Sequence, residues 1–308
     1  YKRQHGNRAS VCYRANASYA GRLYRYISEN GFDTVVMPHI FPTEALTCIR
    51  RRHPEAELLT CFIATDYACV PFLGETDADL YCIPHEYLRH SFAESGIPAH
   101  KIAATGIPVR DRFLSHAEKA EARARLGLPV EGQLLLVMTG SMGYGNVEAL
   151  LAALRARIPA AHVLVMGGNN ERLKRTLRTE FATDMQISVL DYTNEVSLYL
   201  DAADLLFTKP GGLSSTEAAV KGIPMVHTAP IPGWESDNAA FFEALGLSRT
   251  GDTPLLQADQ AALLLASPAA MERMRERQRR EINPHAAEDI STLLLERAEA
   301  DVPGERVI

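Results

Sequence analysis

The sequence predicts an α/β protein with two domains and mostly parallel sheets. Short apolar runs alternate with helical patterns along nearly the whole chain, which is typical of βαβ units. The chain has 308 residues, of which 46% are apolar and 23% are charged, so it is long enough to form two hydrophobic cores. A stretch with Gly-Ile-Pro and Gly-Leu-Pro turns, at 106–130, is the expected hinge.

The first half contains four predicted strands, at 34–37, 58–65, 80–83 and 101–105. Helical patterns lie between them near 18–29, 43–53 and 85–95. The last of these ends at Gly96 before Pro98, which is a helix stop signal. We expect residues 1–125 to form a first lobe.

The second half contains five predicted strands, at 134–139, 163–166, 187–190, 205–207 and 225–227, each followed by a turn and a helical pattern. The Ala-rich run at 261–270 is predicted to be helical, and 270–300 is predicted to form two charged helices broken near Asn283-Pro284. We expect residues 126–281 to form the second lobe, with the C-terminal helices at 282–308 as a candidate addition to the first.

Several classes of protein are disfavoured by composition. No apolar run approaches the roughly 20 residues of a membrane-spanning helix, and the N-terminus lacks the pattern of a secretory signal. The absence of an initiator Met suggests that an upstream part is missing. Five cysteines without a C-x-x-C pair favour reduced thiols in a cytosolic protein, with Cys61 and Cys82 packed in the core.

Charge is concentrated at the N-terminus. Residues 1–52 carry nine basic and three acidic residues, although the whole chain has a net charge of −6. Such a basic face is suited to an anionic membrane surface, and an ordinary solvated surface is the alternative. Because the whole chain is acidic, we expect no nucleic-acid partner.

The strongest local motif is the run from Thr208 to Glu217, in which a strand ends, two glycines follow and Ser/Thr residues open a helix. Glycines let the backbone approach a ligand, and the free N–H groups of a helix N-terminus attract phosphate. The motif therefore predicts an anion site. The alternative is that Gly211 and Gly212 only form a turn and Ser214 only caps the helix.

Two further glycine loops follow predicted strands of the same lobe, at 139–146 and at 167–170. The carboxyl ends of parallel strands share one sheet edge, where open α/β sheets bind ligands. We expect the three loops to line one crevice.

The motifs at 208–218, 221–225 and 230–238 together resemble the family of monogalactosyldiacylglycerol synthases and processive diacylglycerol glucosyltransferases. The resemblance extends to 38–45, to Thr65-Asp66 and to 96–109, so it covers roughly residues 33–245. A more distant relative is the peptidoglycan N-acetylglucosaminyltransferase. Such a long ordered set of motifs is more specific than one short pattern.

The resemblance implies two Rossmann-like lobes of the GT-B type with a cleft between them, a UDP-hexose donor and a lipid acceptor, diacylglycerol or a related lipid. It implies no cofactor besides the donor substrate and no metal ion. The expected location is cytoplasmic, peripheral on the inner face of the cell membrane. The family begins with a glycine-rich loop ending in His that nothing in this chain matches, so the N-terminal lobe is expected to be incomplete.

The resemblance also implies roles for individual residues of the second lobe. Glu217 matches the residue on the ribose hydroxyls, Tyr192 and Val196 belong to the uracil-side loop, and Glu235 and Asn238 match the positions that read the sugar hydroxyls. Trp234 departs from the family, which commonly has Gln there. The donor diphosphate is expected near the glycine loops, at Gly140, Ser141, Gly143, Gly168, Asn169, Gly211, Gly212, Leu213, Ser214 and Ser215.

Two residues of the first lobe are candidates for the catalytic base. His39 and Asp66 each follow a predicted strand, where an acceptor hydroxyl could come within reach. The alternatives are that Asp66 only caps a turn and that His39 is a structural loop residue. The sequence leaves open two other functions: a UDP-sugar 2-epimerase, which needs no lipid, and a protein that binds UDP-sugar without turnover.

Overall fold

The computed structural model describes residues 10–140 and 146–300. The chain forms two compact units. The first unit runs to Ile107 and resumes at His285, and the second unit is Pro108–Pro284. Each unit contains its own parallel sheet, of four strands in the first and six in the second, in agreement with the predicted α/β class.

The first unit has the strand order β1-β2-β3-β4. Its core joins Cys61, Ile63, Leu80 and Cys82 to Ile290 of the last helix. The elements are α1 (Val11–Ala17), α2 (Ala20–Glu29), β1 (Thr34–Met37), α3 (Ile40–Arg52), β2 (Leu59–Ile63), β3 (Leu80–Ile83), α4 (Arg89–Glu94), β4 (Ile102–Ala104) and α13 (Ala286–Ala300), with short 3₁₀ turns at Leu73–Glu75, Glu86–Leu88 and Ala99–Lys101. The four strands lie where the sequence predicted them, and α13 covers their sheet.

The second unit has the strand order β10-β9-β8-β5-β6-β7. Its strands β5, β6 and β8 are almost entirely buried, as in sheets covered by helices on both faces. The elements are a 3₁₀ turn at Asp111–Phe113, α5 (Lys119–Arg125), β5 (Leu134–Met138), α6 (Val147–Arg157), β6 (His162–Met166), α7 (Glu171–Glu180), β7 (Ile187–Leu190), α8 (Val196–Ala202), β8 (Leu205–Thr208), α9 (Gly212–Val220), β9 (Met225–His227), α10 (Trp234–Ala244), β10 (Arg249–Thr250), α11 (Pro254–Leu265) and α12 (Pro268–Glu281).

The boundary between the two units was expected after residue 125, but in the structure it lies after Ile107. Residues 108–125 lie in the second unit, where α5 is anchored by Arg123. This side chain is only 2% exposed. It donates to the carbonyl of Ala202 at 2.9 Å and to the carboxylate of Asp204 at 2.8 Å. A buried guanidinium is costly without such partners, so they hold α5 on the second unit.

The predicted helical run at 261–270 is in fact interrupted. The first helix, α11, ends at Leu265 and α12 begins at Pro268. Ser267 caps the second helix, since its side chain accepts from Ala270 N at 3.3 Å, and Pro is favoured in a first turn because it has no N–H to satisfy. The predicted break near Asn283-Pro284 is present, between α12 and α13.

The five cysteines carry free thiols. Cys61 and Cys82 are fully buried on neighbouring strands, with their sulfur atoms 3.7 Å apart. Their predicted place in the core is confirmed. Within residues 10–140 and 146–300, no helix combines the length and the apolar character of a membrane span.

A buried histidine links three elements of the second unit. His227, at the end of β9, is fully buried, and its ring nitrogens lie 3.0 Å from Ser215 Oγ on α9 and 3.1 Å from Ser248 Oγ. Burial lowers the pKa of His227 from 6.5 to about 3. The imidazole is therefore neutral in the folded chain at pH 5, whereas in the unfolded chain it is protonated.

This difference predicts a pH-dependent stability. Between pH 6.5 and 3 the unfolded chain binds a proton at His227 that the folded chain does not bind, so the stability present above pH 6.5 falls as the pH is lowered. From pH 7 to pH 5 the wild type should lose about 2 kcal/mol more unfolding free energy than His227→Asn. Urea unfolding at both pH values measures this. The exposed His90→Asn should behave as the wild type does, and equal losses in all three proteins would contradict the assignment.

Candidate functional site

The carboxyl ends of β6, β5 and β8 form the candidate site of the second unit. These strands are neighbours in a parallel sheet. From β5 the chain proceeds to β6 and β7 on one side, and then to β8, β9 and β10 on the other. Such a reversal of strand order is where open α/β sheets bind ligands. The three glycine loops follow these three strands, so the fold brings them to one edge.

The loop after β8 presents a helix N-terminus. Gly211 is the N-cap of α9, and the first intrahelical bond runs from Ser215 N to Gly211 O at 3.0 Å. The N–H groups of Gly212, Leu213 and Ser214 come before this bond, so they have no acceptor within the helix. A side chain at Gly211 would meet no atom within 4 Å. The space beside Gly211 is therefore open at the start of the helix.

Ser215 departs from its predicted place at the diphosphate. Its side chain is fully buried and lies against His227, because it projects from the inner face of α9. Thr216 is also fully buried, and its hydroxyl donates to Gly212 O at 2.7 Å. Ser214 is half-buried and remains a candidate for the diphosphate with the preceding N–H groups.

Lys209 joins the loops after β5 and β8, a role that the sequence analysis missed. A Cβ built on Gly140, whose φ is +73°, would come within 3.1 Å of the Lys209 side-chain Cε. The Lys209 ammonium donates to Glu235 Oε1 at 2.7 Å. A side chain at Gly140 would be strained at this φ and would press on Lys209, so the two loops are in close contact. The sequence feature that could have indicated this role of Lys209 is the Lys-Pro-Gly-Gly motif at 209–212.

Glu235 and Asn238 are engaged in holding this loop. Glu235 is 8% exposed, and besides Lys209 it accepts from Ile231 N at 2.9 Å. Asn238 is fully buried and donates to Pro210 O at 2.9 Å. In the structure both side chains support the loop, and their contact with sugar hydroxyls stays a prediction. Trp234, at the start of α10, is 53% exposed.

A pocket of about 360 Å³ lies beside α9. It contains four of the predicted residues, Tyr192, Val196, Leu213 and Glu217, from the β7–α8 loop and from α8 and α9. Tyr192 donates from its hydroxyl to Asn194 Oδ1 at 3.1 Å. The remaining lining residues are Pro108, Val109, Arg110, Arg112, Phe113, Met138, Thr193 and Asn194. The volume is within the range of small-molecule sites.

Glu217 faces two arginines that the sequence analysis did not select. Burial raises the pKa of its carboxyl, and Arg110 and Arg112 oppose this rise by favouring the charged form. Arg112 is fixed by donating to Asn194 O at 2.8 Å. Arg110 directly follows the Gly-Ile-Pro-Val motif at 106–109 and Arg112 comes two residues later, so this motif was the signal that could have found them. The pocket thus combines one carboxylate with two cations.

The loop after β6 is less enclosed. Gly168 has a φ of +55°, and Asn169 is exposed. Beneath it, a Cβ on Gly167 would lie 2.7 Å from Lys174 Cγ, and Lys174 is only 1% exposed and pairs with Glu171 at 2.5 Å. Of the predicted residues in the loop after β5, Ser141 and Gly143 lie outside the described residues.

His39 and Asp66 follow β1 and β2, as predicted. These strands are adjacent and parallel, so both residues lie at one edge of the first sheet. His39 is exposed and caps α3, with Nδ1 accepting from Phe41 N at 3.2 Å. Asp66 is half-buried. In the structure His39 acts as a helix cap, and its role as a catalytic base stays a prediction. In the described ranges, no three His, Cys, Asp or Glu side chains are grouped to hold a metal ion.

Comparison with known proteins indicates the same family as the sequence motifs do. Residues 1–109 match the family described as monogalactosyldiacylglycerol (MGDG) synthase. A processive diacylglycerol beta-glucosyltransferase of Staphylococcus saprophyticus is 29% identical over 237 residues, which make up 77% of this chain and 60% of that protein. The predicted family resemblance is confirmed. The chain spans about 60% of the length of this diacylglycerol glucosyltransferase.

Solved structures show the same fold. MurG of Acinetobacter baumannii matches with a TM-score of 0.66 at 16% identity, over 91% of this chain and 78% of that one. A putative UDP-N-acetylglucosamine 2-epimerase from Listeria monocytogenes matches with a TM-score of 0.71 at 14% identity, over 98% and 84%. At such identities the likeness concerns the fold alone, and it confirms the predicted fold class.

The ion pair of Glu235 generates a stability prediction. Glu235→Gln removes the charge opposite Lys209 while keeping the shape, and should lower the unfolding free energy by about 1–3 kcal/mol. Asp237→Asn is the matched control, because Asp237 is exposed on the same turn of α10, and should change it by less than about 0.5 kcal/mol. Urea unfolding measures both. Equal effects would mean that the pair does not stabilise the loop.

Proposed function

We propose that the second unit binds a UDP-hexose and that the chain is part of a glycosyltransferase that transfers the hexose to diacylglycerol or a related lipid. The observation that carries the donor site is the pocket in which Glu217 meets Tyr192, Val196 and Leu213 beside the N-terminus of α9. A nucleoside diphosphate needs an apolar wall for its base, an acceptor for its ribose hydroxyls and donors for its phosphates. All three are available here.

The proposed pose follows from these chemistries. Glu217, when ionised, accepts hydrogen bonds from the two ribose hydroxyls. The segment from Tyr192 to Val196 lies against the uracil, and Leu213 adds apolar surface. The diphosphate lies at the N–H groups of Gly212, Leu213 and Ser214, where the positive end of the helix dipole favours an anion. Gly140 and Gly168 follow the neighbouring strands β5 and β6, and the Lys209 side chain lies over Gly140.

The departing UDP gains negative charge during transfer. We propose that the N-terminus of α9 and the guanidinium of Arg110 stabilise this charge in place of a divalent cation, since preorganised donors lower the energy of a charged transition state. Arg110 is exposed and lines the pocket. Arg112 serves the pocket indirectly, by holding the segment at Asn194.

The acceptor is proposed to bind at the first unit. The match to the MGDG synthase family, residues 1–109, falls on this unit, and the relative from Staphylococcus saprophyticus is named for diacylglycerol. Five exposed arginines are available on α1, α2 and α3 for an anionic membrane surface, namely Arg14, Arg22, Arg25, Arg51 and Arg52. The proposed location is therefore the inner face of the cell membrane. We propose His39 or Asp66 as the catalytic base.

The donor site is tested by calorimetric titration of UDP, with ADP and GDP as controls. UDP should bind selectively, and Glu217→Gln should weaken it by about 10- to 100-fold, because hydrogen bonds to a charged acceptor are lost. Glu180→Gln, on an exposed residue of α7 in the same unit, should leave the affinity unchanged. Binding that is equal for the three nucleotides, or indifferent to Glu217, would exclude this pocket as the UDP site.

The reaction is tested with UDP-glucose and UDP-galactose in the presence and absence of diacylglycerol liposomes. We expect a glycolipid only when liposomes are present. A 2-epimerised UDP-sugar formed without lipid would instead identify an isomerase. Donor binding without either product would identify a binding function for this chain.

A further inference from the structure

A second pocket of the second unit, which shares no lining residue with the pocket beside α9, lies where β10, the end of α10 and one face of α12 meet. Its volume is about 160 Å³. Three arginines line it, Arg249 from β10 and Arg273 and Arg277 from α12. Leu264 and Met274 provide apolar surface, and Ser248 adds a hydroxyl. Three cations therefore border one small concavity.

The other arginines of α12 are neutralised by carboxylates. Arg275 and Arg279 pair with Glu272, at 3.4 and 2.7 Å, and Arg280 pairs with Glu281 at 2.6 Å. For Arg249, Arg273 and Arg277, by contrast, no carboxylate within 4.0 Å is found in the described part of the chain. The unpaired cations of this helix are the two that face the pocket.

The two arginines of α12 that line the pocket are placed where their charges repel each other. Arg273 and Arg277 are four residues apart, so they lie on the same face of the helix, and like charges at this spacing are destabilising. Gly246 follows α10 with a φ of +68°, and a Cβ at this position would lie 1.9 Å from Arg277 Nη1. A side chain at this position would force the flexible end of Arg277 to move.

The walls of the pocket are fixed by the core. Ser248 is bonded to the buried His227, and Gln278 of α12 donates to Leu247 O at 2.9 Å and to Ile223 O at 3.0 Å. Glu243 also lines the pocket, where its carboxylate accepts from the Thr250 hydroxyl at 2.8 Å. The helix carrying two of the arginines is thus tied to the segment that carries the third.

We propose that this pocket binds a phosphate group, either as inorganic phosphate or as the terminal phosphate of a phosphomonoester such as a lipid headgroup. The guanidinium fork matches phosphate oxygens in geometry and charge, and a dianion offsets the repulsion among three cations. The volume is below the roughly 300 Å³ at which sites for drug-sized ligands begin, so the pocket matches a single phosphate group in size. The site is separate from the proposed donor pocket.

The test is calorimetric titration of inorganic phosphate into the full chain in a chloride buffer. The wild type should bind saturably, and the double variant Arg273→Gln/Arg277→Gln should bind at least about tenfold more weakly, because two charge-assisted contacts are lost. Arg279→Gln is the matched control, since it removes a charge from the same helix outside the pocket. Urea midpoints of all three proteins establish that each is folded.

Vesicle co-sedimentation distinguishes the two sources of phosphate. Binding to phosphatidylcholine vesicles containing phosphatidic acid, absent with phosphatidylcholine alone and lost in the folded double variant, would support a lipid headgroup. Phosphate binding without such vesicle binding would support a soluble phosphate. Failure of both probes to bind the wild type, or binding that persists undiminished in the double variant, would overturn the proposal.

Discussion

Parallel pairing of β5 with β8 is the constraint on which the second unit depends. These strands are far apart in sequence, and their register, from Leu135 opposite Leu205 to Met138 opposite Thr208, makes them end together. Because both strands are buried, a shift in this register would expose apolar side chains and separate the two loops. The core that holds the sheet together therefore also sets the position of Gly140 relative to Lys209 and of α9 relative to both.

Most polar side chains near this edge of the sheet form hydrogen bonds that hold the loops and helices in place. Glu235 holds Lys209, Asn238 holds Pro210 O, and Ser215 is bonded to a histidine in the core. Each satisfies a buried polar group that would otherwise be costly. The groups that remain available to bind a ligand are the N–H groups at the start of α9. Glu217 is the nearby carboxylate. In the proposed donor site, the main chain at the start of α9 binds the diphosphate and side chains bind the nucleoside.

The sequence predicted the strands well because a buried parallel strand is a short, almost continuous apolar run, as at 134–138 and 205–208. It predicted the glycine loops because the glycine and polar residues that end each strand are next to it in the sequence. Side-chain direction could not be read in this way. Ser214 and Ser215 look equivalent in the motif, yet only packing against His227 shows that Ser215 points inward.

Long-range partners were missed for the same reason. Arg110 approaches Glu217 across more than 100 positions, and Arg123 anchors α5 on Ala202 and Asp204. No periodicity in a single sequence encodes such pairings. The division after Ile107 lies within the expected hinge at 106–130, whereas the expected lobe boundary after residue 125 placed α5 in the first lobe, because a single sequence does not show that Arg123 pairs with Ala202 and Asp204.

The path of the chain between its two units has a consequence for dissecting it. The second unit is one uninterrupted segment, Pro108–Pro284, whereas the first unit is completed by α13, whose Ile290 joins the core beneath β2 and β3. In genetic terms the second unit is an insertion within the first. A single contiguous gene fragment can encode the inserted domain alone, but cloning the N-terminal portion by itself would discard part of its own core. Removal of α13 would therefore damage the core of the first unit before any residue of the second unit is lost.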